Sequence, residues 1–154
     1  MREFRITKYD PLKRDLNGAY LDHEEWTSFS EIGKKLTKED YEKVKTAYIQ
    51  SALDLVSGTV EKELIVDGLE DYKNISGLTE GDTIKGKEIE GTLRSILRDE
   101  YWCLLKSESA FVHIGYDYYM YVGVIEVNKS TLKNIENRGL YVENFISPFH
   151  PEQC

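Results

Sequence analysis

The chain has 154 residues and a formal charge of -8, with a pI near 5.0. That length suits a single domain, residues 1-154, able to bury well over half of its unfolded surface with no disulfide or metal to staple it. The negative balance excludes the phosphate backbones of DNA and RNA as partners, because those demand a positive field.

In chain order, Glu3 to Tyr9 alternates Phe4, Ile6 and Lys8 with Arg5, Thr7 and Tyr9, a strand signal that ends at Pro11 and the Asn17-Gly18 turn. Between Asp15 and Gly33 lie Asp15, Asp22, Glu24, Glu25 and Glu31 with no lysine or arginine, which predicts an anionic patch around Trp26. Ser28 or Ser30 is placed to cap a short helix carrying Ile32 and Leu36 inward. Thr37 opens a capping box with Asp40, and the helix that follows sets Tyr41, Val44, Tyr48, Ala52 and Leu55 on one stripe before Gly58 stops it. A short strand over Glu63 to Val66 precedes LEDYKNISGLTEGD, which reads as an irregular connection.

A second amphipathic helix runs from about Lys87 to Glu100, with Ile89, Leu93, Ile96 and Leu97 sharing a face. The period then becomes alternating: Tyr101 to Leu105 is a buried strand, Ser107-Glu108-Ser109 a turn, and Phe111 to Val124 one long strand or two short ones around Gly115-Tyr116-Asp117. Ser130 can cap a short helix that holds Leu132 and Ile135 and ends at Gly139, and a last strand spans Leu140 to Ile146. Mixed helices and strands with an obligatory hairpin define the α+β class, a mostly antiparallel sheet with helices packed on one face. No apolar run reaches membrane-span length and the N-terminal MREFRITKYDP lacks a signal core, so a cytoplasmic protein with reduced Cys103 and Cys154 is expected.

The chemistry-bearing residues argue against an enzyme. In a continuous strand His113 and Asp117 would sit roughly 13 Å apart, too far for a dyad unless Gly115 turns the chain. Cys103 lies in an apolar strand, where burial raises a thiol pKa. His23, His113 and His150 match no metal-ligand spacing, and the acids beside His23 read as a solvated loop. The glycines fit no phosphate-cradling motif, so no cofactor and no metal is expected.

Residues Phe111 to Tyr121, FVHIGYDYYMY, carry the functional reading. As one strand, Val112, Ile114, Tyr116, Tyr118, Met120, Val122 and Val124 form a core-like face, and Phe111, His113, Gly115, Asp117, Tyr119, Tyr121 and Gly123 the other. That second face is either closed by a helix or presented as a recognition surface. Trp26 carries the same two readings, a core lid or a hot-spot anchor for a basic partner.

The segments FRITKYDP, EEWTSFSEIGKKL, RSILRDEYWCLL and VHIGYDYYMYVGV, with their WTS-x-x-x-IG and HxGYDYYMY patterns, resemble a family of small, uncharacterised bacterial cytoplasmic proteins. In style these are similar to the immunity proteins that accompany polymorphic toxins. The resemblance implies a non-enzymatic protein that covers the basic active site of a toxin domain, with neither nucleic acid nor membrane as partner. Steering would fall to Asp22, Glu24, Glu25 and Asp117, and anchoring to Trp26, Tyr116, Tyr118, Tyr119 and Tyr121. A small-molecule-binding regulatory domain, with a Tyr-lined pocket at His113 beneath a helix, is the alternative.

Overall fold

The structure, a computed structural model, describes residues 1-21 and 29-150. Its strands are β1 (Arg2–Thr7), β2 (Glu63–Glu70), β3 (Thr83–Lys85), β4 (Trp102–Lys106), β5 (Ala110–Ile114), β6 (Met120–Val124) and β7 (Tyr141–Asn144). The helices are α1 (Lys38–Ser57), α2 (Lys87–Leu97) and α3 (Lys129–Asn137). One antiparallel sheet of order β3-β2-β4-β5-β6-β1-β7 carries all three helices on a single face, so the chain is an α+β protein. Among the described residues no helix is long and apolar enough to cross a membrane.

The core forms where the helical stripes meet one face of the pleat. Phe4, Ile6, Leu64, Val66, Leu105, Val112, Ile114, Met120 and Val122 point toward Tyr41, Tyr48, Ala52 and Leu55 of α1, Ile89, Leu93 and Leu97 of α2, and Ile135 of α3. Alternation along each strand makes this face continuous, because register pairs such as Phe4 with Val122 and Val112 with Val122 keep inward residues opposite one another. The Thr37 side chain accepts the Asp40 N–H at 3.1 Å and Gly58 closes α1, as its sequence pattern implies. β1 is interior, paired on both sides by β6 and β7, so the unpaired edges belong to β3 and β7.

Several elements differ from the sequence expectation. α3 is capped by Asn128, not Ser130: the Asn128 carboxamide oxygen accepts the Thr131 N–H at 2.8 Å and the Ser130 hydroxyl at 2.6 Å. Phe29–Glu31 forms one 3-10 turn instead of a longer helix, and Gly33, at φ +86, turns the chain out of it. β2 continues four residues past Val66, and β3 lies in the stretch expected to follow a loop.

Phe111 to Val124 is a hairpin of two strands. Gly115 donates its N–H to the Tyr119 carbonyl at 2.9 Å, and the Asp117 carboxylate accepts the Tyr119 N–H at 3.0 Å, closing the turn. Ile114 then faces Met120 and His113 faces Tyr121. The two-residue period is kept across the turn, but Tyr116 leaves the core-like set because it projects from the turn itself, while Tyr118 stays partly buried against the edge of the core.

On the face away from the helices Phe111 lies opposite Gly123, and its ring covers the glycine so closely that an added Cβ would stand 2.2 Å from Cε1. The ring has little room to give, being stacked on His113 at 4.3 Å and edged by His150 at 5.1 Å. Gly123→Ala is therefore expected to destabilise the fold by about 1–3 kcal/mol in urea denaturation.

Candidate functional site

The sheet face remote from the helices is covered by the chain's own C-terminal segment. Glu3, on the interior strand β1, accepts the Ser147 N–H at 2.9 Å and sits 2.8 Å from His150 Nε2 through the same carboxylate oxygen. Ser147 is wholly buried, with its hydroxyl 2.8 Å from His113 Nδ1 and accepting the Phe149 N–H at 3.2 Å. The Phe149 ring thereby lies against Trp102, His113 and Tyr121, at centroid distances of 5.8, 6.0 and 6.0 Å. Residues 147-150 thus fill the space in which the alternative sequence reading placed a ligand pocket, and the cover is this segment and not a helix.

Beside it, Arg5 solves the same burial problem for a cation. Its Nε and Nη2 donate to the two Glu143 oxygens at 3.2 and 3.3 Å while the guanidinium lies 4.0 Å from the Phe145 ring centroid. Arg14 and the Tyr20 hydroxyl also donate to Glu143, and the Tyr9, Tyr20 and Tyr119 rings pack together around the pair. Burial alone would raise the Glu143 carboxyl, but the hydrogen bonds from Arg5 and Tyr20 and the two guanidinium charges hold it below the usual range. Glu143 is thus saturated by three donors from this chain, Arg5, Arg14 and Tyr20, while the buried Arg14 Nε makes no hydrogen bond among the described residues.

At the opposite end of the band the aromatic surface opens to solvent. Asp67 pairs with Leu104, but Glu70 pairs with Trp102, so two residues of β2, Gly68 and Leu69, stand against one of β4, Cys103, in a bulge. Gly68, at φ +64, permits the bulge, and Glu80 holds it by accepting the Gly68 and Leu69 N–H groups at 2.8 Å each. The extra residue brings Glu70 onto the face that Trp102 occupies. There the Trp102 and Tyr116 rings stack at 5.0 Å and 25°, and the Tyr116 hydroxyl lies 3.2 Å from both Glu70 oxygens.

Trp102 is anchored from below by its indole N–H, which donates to the Ile114 carbonyl at 2.7 Å. Tyr116 is 66% exposed, and Tyr72, 93% exposed, is near enough to act on it electrostatically. Partial desolvation and the Glu70 charge hold the Tyr116 phenol above its ordinary range. Asp117 is exposed beside it at the tip of the turn. Among the described residues no lysine or arginine pairs with Glu70 or Asp117, whereas Asp67 is neutralised by Lys106 at 2.9 Å.

The structure therefore divides the residues expected to bind a partner. Tyr116 and Asp117 are exposed together at the hairpin tip. Tyr118 bonds the Asp99 carboxylate at 2.8 and 2.9 Å, and Tyr119 belongs to the cluster around Glu143. Tyr121 is a correction: at 5% exposure beneath Phe145 and Phe149 it is interior, and burial pushes its phenol up to about 12. Asp22, Glu24, Glu25 and Trp26 lie outside the described residues. Glu70, Tyr72 and Trp102 were not singled out from the sequence, and Gly68 within Val-Asp-Gly-Leu-Glu is the signal from which a bulge there could have been read.

The residues considered for chemistry are placed apart. The turn brings no His113–Asp117 pair: His113 bonds Ser147 and Asp117 caps its own turn. Burial pushes the Cys103 thiol up to about 12. No group of three or more His, Cys, Asp or Glu among the described residues is gathered to hold a metal ion. Comparison of the chain with protein families, with curated proteins and with solved structures finds no match.

His113 makes the covered face sensitive to acid. Burial, helped by His150 and Lys106 and opposed by Glu3 and Asp67, pushes its imidazole down to about 4 from an ordinary 6.5. The unfolded chain takes up a proton below pH 6.5 and the folded chain does not until about 4, so stability is full above pH 6.5 and falls through that window. The loss is on the order of 3 kcal/mol. It should be read as the difference in unfolding free energy between the wild type and His113→Gln, shrinking by that amount between pH 7 and 4.

Proposed function

We propose that this chain is a non-enzymatic binding protein that presents the corner formed by Glu70, Tyr72, Trp102, Tyr116 and Asp117 to a basic protein partner. The observation that carries the reading is the Trp102–Tyr116 stack, with Tyr116 held open to solvent beside two carboxylates that no lysine or arginine among the described residues pairs with, while Phe111, His113, Tyr119 and Tyr121 of the same face are packed under the C-terminal segment or around Glu143. Rigid aromatic rings flanked by charge supply contact area at low entropic cost, as interface hot spots do. The formal charge of -8 adds long-range attraction for a basic surface. An immunity-type role, in which this corner covers the basic active-site cleft of a cognate toxin domain, is the specific form of the proposal.

The division of labour is electrostatic steering by Asp117 and Glu70 and anchoring by Tyr116. With a partner captured from the source cell and then purified, Asp117→Lys should slow association about tenfold at low salt, and Tyr116→Ala should speed dissociation about tenfold, a cost of about 1.4 kcal/mol. Tyr116 is exposed, so Tyr116→Ala should leave the unfolding midpoint in place, whereas Asp117→Lys gives up the bond to the Tyr119 N–H and should lower it; Asp117→Asn, which keeps an acceptor for that N–H and loses only the charge, should slow association without that loss. Surface-binding kinetics that are identical for wild type and both variants would remove the corner from the interface.

A further inference from the structure

We propose that the Glu70–Tyr116–Trp102 corner is an arginine-binding site, taking a guanidinium from the partner onto the open face of Tyr116 with its N–H groups directed at Glu70. This inference rests on the binding reading above and specifies its anchor. One face of the Tyr116 ring is occupied by Trp102 and the hydroxyl end of the ring meets both Glu70 oxygens, so the solvent-facing side presents an electron-rich plane with an anion at its rim. A cation over the ring is attracted by the ring quadrupole within about 6 Å of the centroid. From that position the Glu70 carboxylate is in reach.

The planar, five-donor guanidinium fits this geometry better than an ammonium does. It stacks flat on a ring and keeps in-plane N–H groups free for a carboxylate, whereas a lysine ammonium is a point charge that holds its water more tightly. The chain itself builds a comparable arrangement at a half-buried position, where Arg5 lies 4.0 Å from the Phe145 ring centroid and donates through Nε and Nη2 to Glu143. The source of the cation separates the two sites. At Glu143 the chain supplies its own guanidinium, and among the described residues none pairs with Glu70.

Glu70 is also held in place. The bulge that brings it opposite Trp102 is tied by Glu80 to two backbone N–H groups, so the carboxylate does not depend on a floppy loop for its position. Trp102 is fixed by its bond to Ile114 and by Phe149 behind it. A preorganised receptor of this kind loses little freedom when a side chain docks.

The test uses an N-acetylated, C-amidated hexa-arginine peptide and its hexa-lysine counterpart, titrated into the full chain while the Trp102 indole N–H and Tyr116 ring resonances are followed by NMR. Hexa-arginine should shift both resonances saturably and bind about fivefold more tightly than hexa-lysine, and Glu70→Gln and Tyr116→Ala should each weaken it about fivefold or more. Equal binding of the two peptides, or an arginine preference unchanged by both variants, overturns the assignment and leaves only attraction by net charge. If that happens while Asp117→Lys still slows association of the purified partner, the arginine inference alone falls. If the partner is indifferent as well, the binding reading falls with it.

Discussion

Two charged side chains on an interior strand, Glu3 and Arg5, set the organisation of half of this molecule. β1 is paired on both sides, so its outward-facing residues lie near the middle of the sheet, where a carboxylate and a guanidinium need partners or water. Glu143 on β7 answers Arg5, and the Ser147 N–H and His150 answer Glu3. Meeting those two demands draws residues 145-150 back across the sheet and lays Phe145 and Phe149 over Tyr121, His113 and Trp102. A sheet whose helices cover only one face thus acquires a second, thinner layer, built from a segment with no secondary structure of its own.

The same layer decides what is left on the surface. Most of the aromatic run is absorbed into it, and only the end beyond Phe149 projects into solvent, where the Trp102–Tyr116 stack meets the Glu70 carboxylate. That corner depends on a local departure from regular pairing, the bulge at Gly68 tied by Glu80. Without the added residue the alternation of β2 would send Glu70 toward the helices and leave Trp102 opposite another side chain. One glycine with a positive φ and one carboxylate therefore set the character of the exposed site.

The elements with strong local signals were legible in the sequence. α1 reads from Thr37, from the Tyr41–Tyr48–Ala52–Leu55 stripe and from Gly58, and α2 from Ile89, Leu93, Ile96 and Leu97, because a helix states its buried face within a few turns. The hairpin sequence left one or two strands open, since Gly115 permits a turn or a bulge alike, and the Asp117 bond to the Tyr119 N–H settles it. β3 was missed because three residues carry too short an alternation to stand out from a polar connection. Tyr121 was read as surface because alternation assigns a residue to a face and is silent on what covers that face.

By itself, the sequence determined the α+β class, the two longer helices with their buried stripes, the alternation of the Phe111 to Val124 hairpin strands, and a formal net charge of -8. Each of these follows from periods of two or 3.6 residues or from simple counting, which need only near neighbours. Tertiary structure alone decided which tyrosines are interior, that β1 is a middle strand, that the C-terminal segment closes the second face, and that Glu70, Trp102 and Tyr116 meet. Those outcomes join residues such as Glu3 with Ser147 and Glu70 with Tyr116, and contacts across such separations depend on the order in which strands pair, which no local period encodes.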